Sequence, residues 1–143
     1  MADPTAEALR LGKRYVDLIN ERRLDLLDAL MPPDFKSHTR VGTIQGLAGF
    51  KALMQMSYAA FPELHWHIEE FICAEGRVVL RYHWEAVQRA PFLGIPPTHK
   101  LVRAEGVEIG HVRDGQIIEI WNYADIMGLA AQLQFKDPLG LGI

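Results

Sequence analysis

The sequence predicts an α+β fold in which a curved antiparallel β-sheet wraps around N-terminal helices. Apolar side chains recur at helical spacing over the first 60 residues, whereas later segments alternate apolar and polar side chains as half-buried strands do. Short turns join these segments, and helices that precede antiparallel strands collect on one face of the sheet. No repeat or change of composition divides the 143 residues, so a single domain over residues 1–143 is expected.

Three helices are predicted in the N-terminal part. Thr5 supplies a hydroxyl cap with acid in the following turn, and an apolar stripe continues for about four turns. A shorter helix over residues 24–31 ends at a Pro-Pro pair, because proline cannot donate a backbone hydrogen bond. A short extended piece over residues 34–40 and a glycine-containing loop lead to the third helix, which ends near Ala60.

Four strands and a last helix are predicted in the remainder. The strands cover residues 64–74, 77–89, 100–112 and 116–123. A common two-residue hairpin pair, Asp114-Gly115, joins the last two strands. His111 is therefore expected to lie opposite Ile117 or Ile118. The last helix follows the fourth strand, where apolar residues return to helical spacing.

The charge pattern gives no sign of a nucleic-acid or membrane partner. The formal net charge is −3 and the pI is about 6.0, with the basic residues scattered along the chain. Cys73 is the only cysteine, so neither an intrachain disulfide nor a cysteine-based zinc site is expected. The N-terminus lacks a secretory pattern, and no apolar run reaches the roughly 20 residues of a membrane span. A cytoplasmic protein is expected.

Metal, nucleophile and nucleotide chemistry lack their usual patterns. His65 and His67 share one face of a predicted strand, but no third ligand is evident and zinc needs three or four. The serines lie in no nucleophile elbow, and the glycines between residues 42 and 49 match no phosphate-binding loop. We expect neither a metal nor another cofactor.

Acid–base chemistry remains, and Asp125 is its first candidate. This residue lies between a strand and a helix, close to Trp121 and Tyr123, and burial among aromatic side chains would raise its pKa toward neutrality. Aspartate is also a preferred helix cap, and bonds from helix amides would lower the pKa instead. The residues alone leave both interpretations open. His111 and His38 are further acid–base candidates, although ordinary packing explains them as well.

Four segments of the chain, over residues 59–64, 92–98, 113–117 and 121–133, share a pattern with one known family. They resemble SnoaL-like polyketide cyclases, an ester cyclase family with the cone-shaped fold of the nuclear transport factor superfamily. The resemblance implies a mostly apolar pocket in which the substrate closes a ring by intramolecular aldol condensation, without metal or cofactor. It also implies Asp125 as the acid–base group, with His111 as its helper and His38 as a polar neighbour in the pocket.

The resemblance further implies a set of pocket residues and two departures from the family pattern. The expected substrate-binding residues are Tyr15, Phe35, Phe50, Met54, Trp84, Gln88, Phe92 and Trp121. Gln88 stands where many relatives carry a histidine, and His99 replaces the glycine that usually follows the Pro-Pro-Thr segment. The expected partners are a small, apolar, carbonyl-containing substrate and further copies of the chain in a dimer or tetramer.

Two alternative functions stay open. A dehydratase, isomerase or hydrolase would use the same kind of carboxylate in the same pocket. An epoxide hydrolase would need an Asp-Arg-Asp arrangement, and the sequence does not place Arg81 or Arg103 facing Asp125. The second alternative is a non-catalytic binding or dimerisation module, in which His65 and His67 belong to the outer face of the sheet.

Overall fold

Helices and a curved sheet build the chain, as the sequence predicts. Residues 3–134 are described by the computed structural model, and the predicted domain over residues 1–143 extends beyond them at both ends. The helices in this part are α1 (Pro4–Glu21), α2 (Leu47–Ala60) and α3 (Ile126–Gln134), with a 3-10 helix at Leu24–Ala29. The strands are β1 (Lys36–Thr39), β2 (Gly42–Gln45), β3 (His67–Ala74), β4 (Arg77–Val87), β5 (Leu101–Arg113) and β6 (Gln116–Ala124). The α+β class is confirmed.

The sheet of residues 3–134 has six strands in the order β2-β1-β6-β5-β4-β3. All neighbours are antiparallel except β1 and β6, which run parallel. The sequence predicted the short extended piece over residues 34–40 in which β1 lies, but it predicted a loop around Gly42, where β2 lies, and that part of the prediction was wrong. Strands β1 and β2 are four residues each, too short to show alternation. The partner of β1 lies far along the chain, where no local turn reveals the pairing.

The helices bury one side against the concave face of the sheet. Asp3, rather than Thr5, caps α1, because its Oδ1 accepts from the Thr5 backbone N–H at 3.1 Å. Pro4 then occupies the first helical turn, where its missing N–H costs nothing. Between residues 3 and 134, no helix is long and apolar enough to cross a membrane.

A β-bulge redirects the side chains of β3. The register shifts between Ile68 and Glu70, so the residues after the bulge change faces. Phe71 packs against the core, whereas Glu70 lies outside and pairs with Arg81 at 2.8 Å. An unbroken two-residue period would keep Glu70 on the face of Ile68, and the bulge interrupts that period.

A second irregularity changes the register of the β5–β6 hairpin. Asp114 and Gly115 have φ angles of 51° and 76°, as a two-residue hairpin with left-handed central residues requires. A register shift between His111 and Val112 then places His111 opposite Glu119. The predicted pairing of His111 with Ile117 or Ile118 was therefore wrong.

Candidate active site

The concave face of the sheet, together with α2 and α3, surrounds a cavity of about 320 Å³. Most of its wall is aromatic or aliphatic. Six of these residues are Phe50, Met54, Phe61, Trp66, Trp84 and Phe92, four of which the sequence analysis names. Its acidic members are Glu108, on the inner face of the sheet, and Asp125 and Glu105, both exposed, whereas no lysine or arginine of the described residues lines it. Such an enclosure favours an uncharged, largely apolar ligand.

Four of the named pocket residues lie elsewhere. Phe35 and Tyr15 are buried in the core behind the cavity wall. Gln88 is also fully buried, and its Nε2 donates to the carbonyl oxygens of Ala90 and Ile95 at 3.2 and 3.1 Å. The Gln88 amide therefore connects two positions of the proline-containing loop over residues 90–98. Trp121 belongs to the outer face of the sheet, because its neighbour Ile120 faces the core and strand side chains alternate.

The two histidines proposed for catalysis also lie on the outer face. The ring of Trp121 stacks on His38, with centroids 5.0 Å apart, and contacts His111, with centroids 4.4 Å apart. His38 Nε2 lies 2.5 Å from Glu119 Oε2. Partial burial, followed by the nearby Arg77 guanidinium, lowers the pKa of His111. The sheet separates these imidazoles from the cavity, so neither can touch a molecule bound there.

Asp125 lies at the cavity rim, where it caps α3. Its Oδ1 accepts from the Gly128 backbone N–H at 2.8 Å, and the side chain is exposed. A Cβ on Gly128 would clash with Asp125 Oδ2, so a glycine is needed where the carboxylate folds back onto the helix. Of the two interpretations that the residues left open, the structure shows the cap. The carboxylate nevertheless remains part of the cavity lining.

The most enclosed carboxyl group of the cavity is that of Glu108, which the sequence analysis missed. Its side chain is 4% exposed, and both oxygens accept hydrogen bonds. Tyr15 Oη donates to Oε1 at 3.0 Å, and Asn122 Nδ2 donates to Oε2 at 2.8 Å. Burial raises the pKa of Glu108 to about 7, although the two hydrogen bonds favour the ionised form. At neutral pH this carboxyl group can therefore both accept and return a proton.

The local sequence explains why Glu108 faces inward. On β5 the inward side chains are those at even positions, and Gly106 and Gly110 stand on either side of Glu108. A Cβ on Gly106 would lie 2.6 Å from Tyr82 Oη, so the glycine gives that hydroxyl its space. The Gly-x-Glu-x-Gly pattern was the available signal. Val107 and Ile109, the apolar residues of this stretch, lie on the opposite face of the strand.

The residues considered for other chemistries lie outside the cavity. Arg81 pairs with Glu70, and Arg103 pairs with Glu85 and Glu105, on the outer face. These two arginines therefore form no Asp-Arg-Asp arrangement with Asp125. His65 and His67 are exposed, with ring centroids 5.0 Å apart, and residues 3–134 contain no group of three or more side chains suited to hold a metal ion.

Comparison with known proteins decides the family. The family model of SnoaL-like polyketide cyclases matches residues 9–133. The chain belongs to this family. No curated protein matches the sequence significantly.

Several solved structures share the SnoaL-like cone fold. A candidate SnoaL-like polyketide cyclase from Jannaschia sp. CCS1 aligns with a TM-score of 0.85 and 22% identity, over 93% of this chain and 95% of that one. TsrD from Streptomyces laurentii aligns with a TM-score of 0.80 and 22% identity, over 91% and 96%. AclR from Streptomyces galilaeus, a candidate hydroxylase, aligns with a TM-score of 0.78 and 26% identity, over 90% and 96%. The shared fold confirms the cone architecture that the resemblance implied.

Proposed function

We propose that this protein catalyses cofactor-independent proton transfer on an apolar carbonyl compound, with intramolecular aldol closure of a polyketide-like chain as the reaction. The single observation that supports it most is the buried Glu108 carboxyl on the wall of an apolar cavity. Family membership supports a polyketide-like substrate. The lack of basic residues along the described cavity wall supports an uncharged one.

Glu108 in its ionised form would remove a proton from the carbon next to a substrate carbonyl. The electron pair of the broken C–H bond then delocalises onto the carbonyl oxygen as an enolate. The enolate carbon forms a C–C bond to the carbon of a second carbonyl group in the same molecule. The oxygen of that second carbonyl group becomes an alkoxide. Protonated Glu108 returns its proton to the alkoxide, so the ring closes without loss or gain of atoms. The cavity wall would contribute by holding the two carbonyl groups in contact.

Asp125 remains the alternative base, because its carboxylate also lines the cavity. It differs from Glu108 in exposure and in its bond to the Gly128 amide. An exposed carboxylate engaged in capping is a weaker base candidate than an enclosed one whose pKa lies near neutrality. We therefore propose Glu108 as the proton-transfer group and place Asp125 at the substrate entrance.

The test measures deuterium exchange at the methyl group of 2-acetylnaphthalene in D₂O, followed by NMR. This ketone is uncharged, apolar and acidic next to its carbonyl, and exchange reports the first chemical step alone. We expect Glu108→Gln to lower the enzyme-dependent rate by about 10²-fold or more. Asp125→Asn is the matched variant, because asparagine caps a helix about as well as aspartate, and it should retain most of the rate.

The opposite pattern, with exchange lost in Asp125→Asn and kept in Glu108→Gln, would return the base to Asp125. Absence of enzyme-dependent exchange in the unmodified protein would contradict the proton-transfer function. Ring closure is then tested with a linear poly-β-ketone ester, whose cyclic product has the same mass but a different chromatographic retention.

A further inference from the structure

We propose that the Tyr82 hydroxyl is a catalytic hydrogen-bond donor that binds the substrate carbonyl oxygen and stabilises the enolate formed there. The inference rests on the proposed function and adds a second group to its site. Tyr82 lies on β4 and lines the cavity beside Asn122 and Glu108.

The hydrogen-bond inventory around Glu108 leaves the Tyr82 proton free. An ionised carboxylate only accepts, so the Asn122 amide must turn its NH₂ group toward Glu108. The same Nδ2 lies 3.0 Å from Tyr82 Oη and donates its second hydrogen there. Tyr82 Oη therefore serves as an acceptor toward Asn122, and its own O–H has no acceptor among residues 3–134.

The free proton belongs to a hydroxyl that is held in place. The ring of Tyr82 stacks on Trp66, with centroids 4.6 Å apart and an interplanar angle of 16°. Gly106 leaves room for the hydroxyl, since any Cβ at that position would lie 2.6 Å from Oη. The side chain is 4% exposed, so solvent offers this O–H little competition. A buried donor without an acceptor is costly unless a ligand pairs with it.

The chemistry couples this donor to the base. When Glu108 takes the proton from the substrate carbon, negative charge develops on the carbonyl oxygen. A donor that is already oriented in a site with little water stabilises that charge without reorganisation. Asn122 donates to both Glu108 and Tyr82, so one side chain connects the base and the donor. When Glu108 is ionised, the Tyr82 hydroxyl accepts from Asn122, and its own proton is free to bind a ligand.

The experiment compares binding of two ligands of the same shape by calorimetry at pH 8. One is 2-acetylnaphthalene, and the other is 2-isopropenylnaphthalene, in which a CH₂ group replaces the carbonyl oxygen. Affinities are measured for the unmodified protein, for Tyr82→Phe and for the control Tyr58→Phe. Tyr58 donates to the Ile19 carbonyl at 2.6 Å and does not line the cavity, so its variant loses a hydroxyl elsewhere.

We expect the unmodified protein and Tyr58→Phe to bind the ketone at least about fivefold more tightly, relative to the alkene, than Tyr82→Phe does. An unchanged ketone preference in Tyr82→Phe would overturn the assignment. The same holds if the unmodified protein shows no ketone preference. Near-ultraviolet circular dichroism verifies that the stacked ring is retained. The comparison needs no turnover, so it separates the Tyr82 assignment from the proton-transfer function, which the exchange assay tests.

Discussion

The two faces of the sheet carry ionisable groups in opposite surroundings. On the outer face, His38 and His111 contact the Trp121 ring, and His38 also contacts Glu119. On the inner face, Glu108 is enclosed, and burial raises its pKa to about 7. The histidines have the residue type expected of a catalyst, but only the glutamate has the surroundings of one. Enclosure by an apolar wall therefore marks the site better than residue type does.

The largest expected difference between the two faces is in catalytic rate. Replacement of Glu108 by Gln should lower α-proton exchange by about 10²- to 10⁴-fold, the usual contribution of a general base. His38→Ala and His111→Ala should stay within about threefold, as ordinary surface substitutions do. The assay is exchange of a carbonyl ligand followed by NMR. A histidine variant that loses as much activity as the glutamate variant would move the site to the outer face.

The pH dependence of the rate sharpens the same comparison. Because Glu108 acts as a base only when ionised and burial raises its pKa to about 7, the exchange rate should increase through pH 7 and then level off. A rate that is already constant between pH 5 and 6 would contradict Glu108 as the base. The profile of Asp125→Asn should follow that of the unmodified protein.

Titration of Glu108 should also change the stability of the protein: the free energy of unfolding should fall with rising pH, whereas the exchange rate should rise. The folded state holds the Glu108 proton up to a pKa of about 7, whereas the ordinary value is 4.5. Between these values the folded state binds more protons than the unfolded state, so stability falls as pH rises. The free energy of unfolding should fall by about 3 kcal/mol from below pH 4.5 to above pH 7, because a difference of one pH unit in pKa corresponds to about 1.4 kcal/mol.

Urea unfolding of the unmodified protein and of Glu108→Gln, measured across that range, isolates this contribution. The variant lacks the titrating group. The free energy of unfolding of the unmodified protein should therefore fall relative to that of the variant as pH rises from 4.5 to 7, and the difference should be constant outside this range. A difference that does not vary with pH would show that Glu108 titrates alike in both states.

A smaller effect is expected from added volume on the inner face. Gly106→Ala would place a methyl group 2.6 Å from Tyr82 Oη, and such overpacking costs about 1–3 kcal/mol of unfolding free energy. Gly110→Ala is the matched control on the same strand and face, because its nearest neighbours lie 3.8 Å away. Equal stabilities of the two variants in urea would contradict the close packing of Tyr82.

The smallest expected effect concerns the rim. Asp125→Ala removes the α3 cap and should cost about 1 kcal/mol, whereas Asp125→Asn should cost little. Thermal unfolding of both variants measures the difference. If alanine and asparagine destabilise equally, the bond to the Gly128 amide does not contribute to stability.

Much of the fold could be predicted because its signals are local. The long strands β4, β5 and β6 show alternation over many residues, and Asp114-Gly115 marks their hairpin. Strands β1 and β2 show no comparable signal, since each is four residues long and β1 pairs with a distant strand. The bulges in β3 and at His111 could not be predicted either. One extra residue moves the following side chains to the opposite face of the sheet without changing the composition of the strand.

The candidate site could be predicted only in part. The family resemblance implied an apolar wall, and two of the residues named for it, Phe50 and Trp84, line the cavity. The sequence could not choose between the two faces of β5. The apolar side chains of Val107 and Ile109 favour the opposite face as the buried one, and nothing in the sequence alone distinguishes Glu108 from a solvated carboxylate.

By itself, the sequence determined the α+β class, the family and the apolar character of the cavity, because patterns of hydrophobic residues depend on neighbours along the chain. Only the tertiary structure decided which carboxylate is enclosed. Glu108 is surrounded by Tyr15, Asn122 and an apolar wall that come from other strands and helices. A pKa depends on distance to water and to charges in space, and those distances exist only once the sheet has curved around the helices.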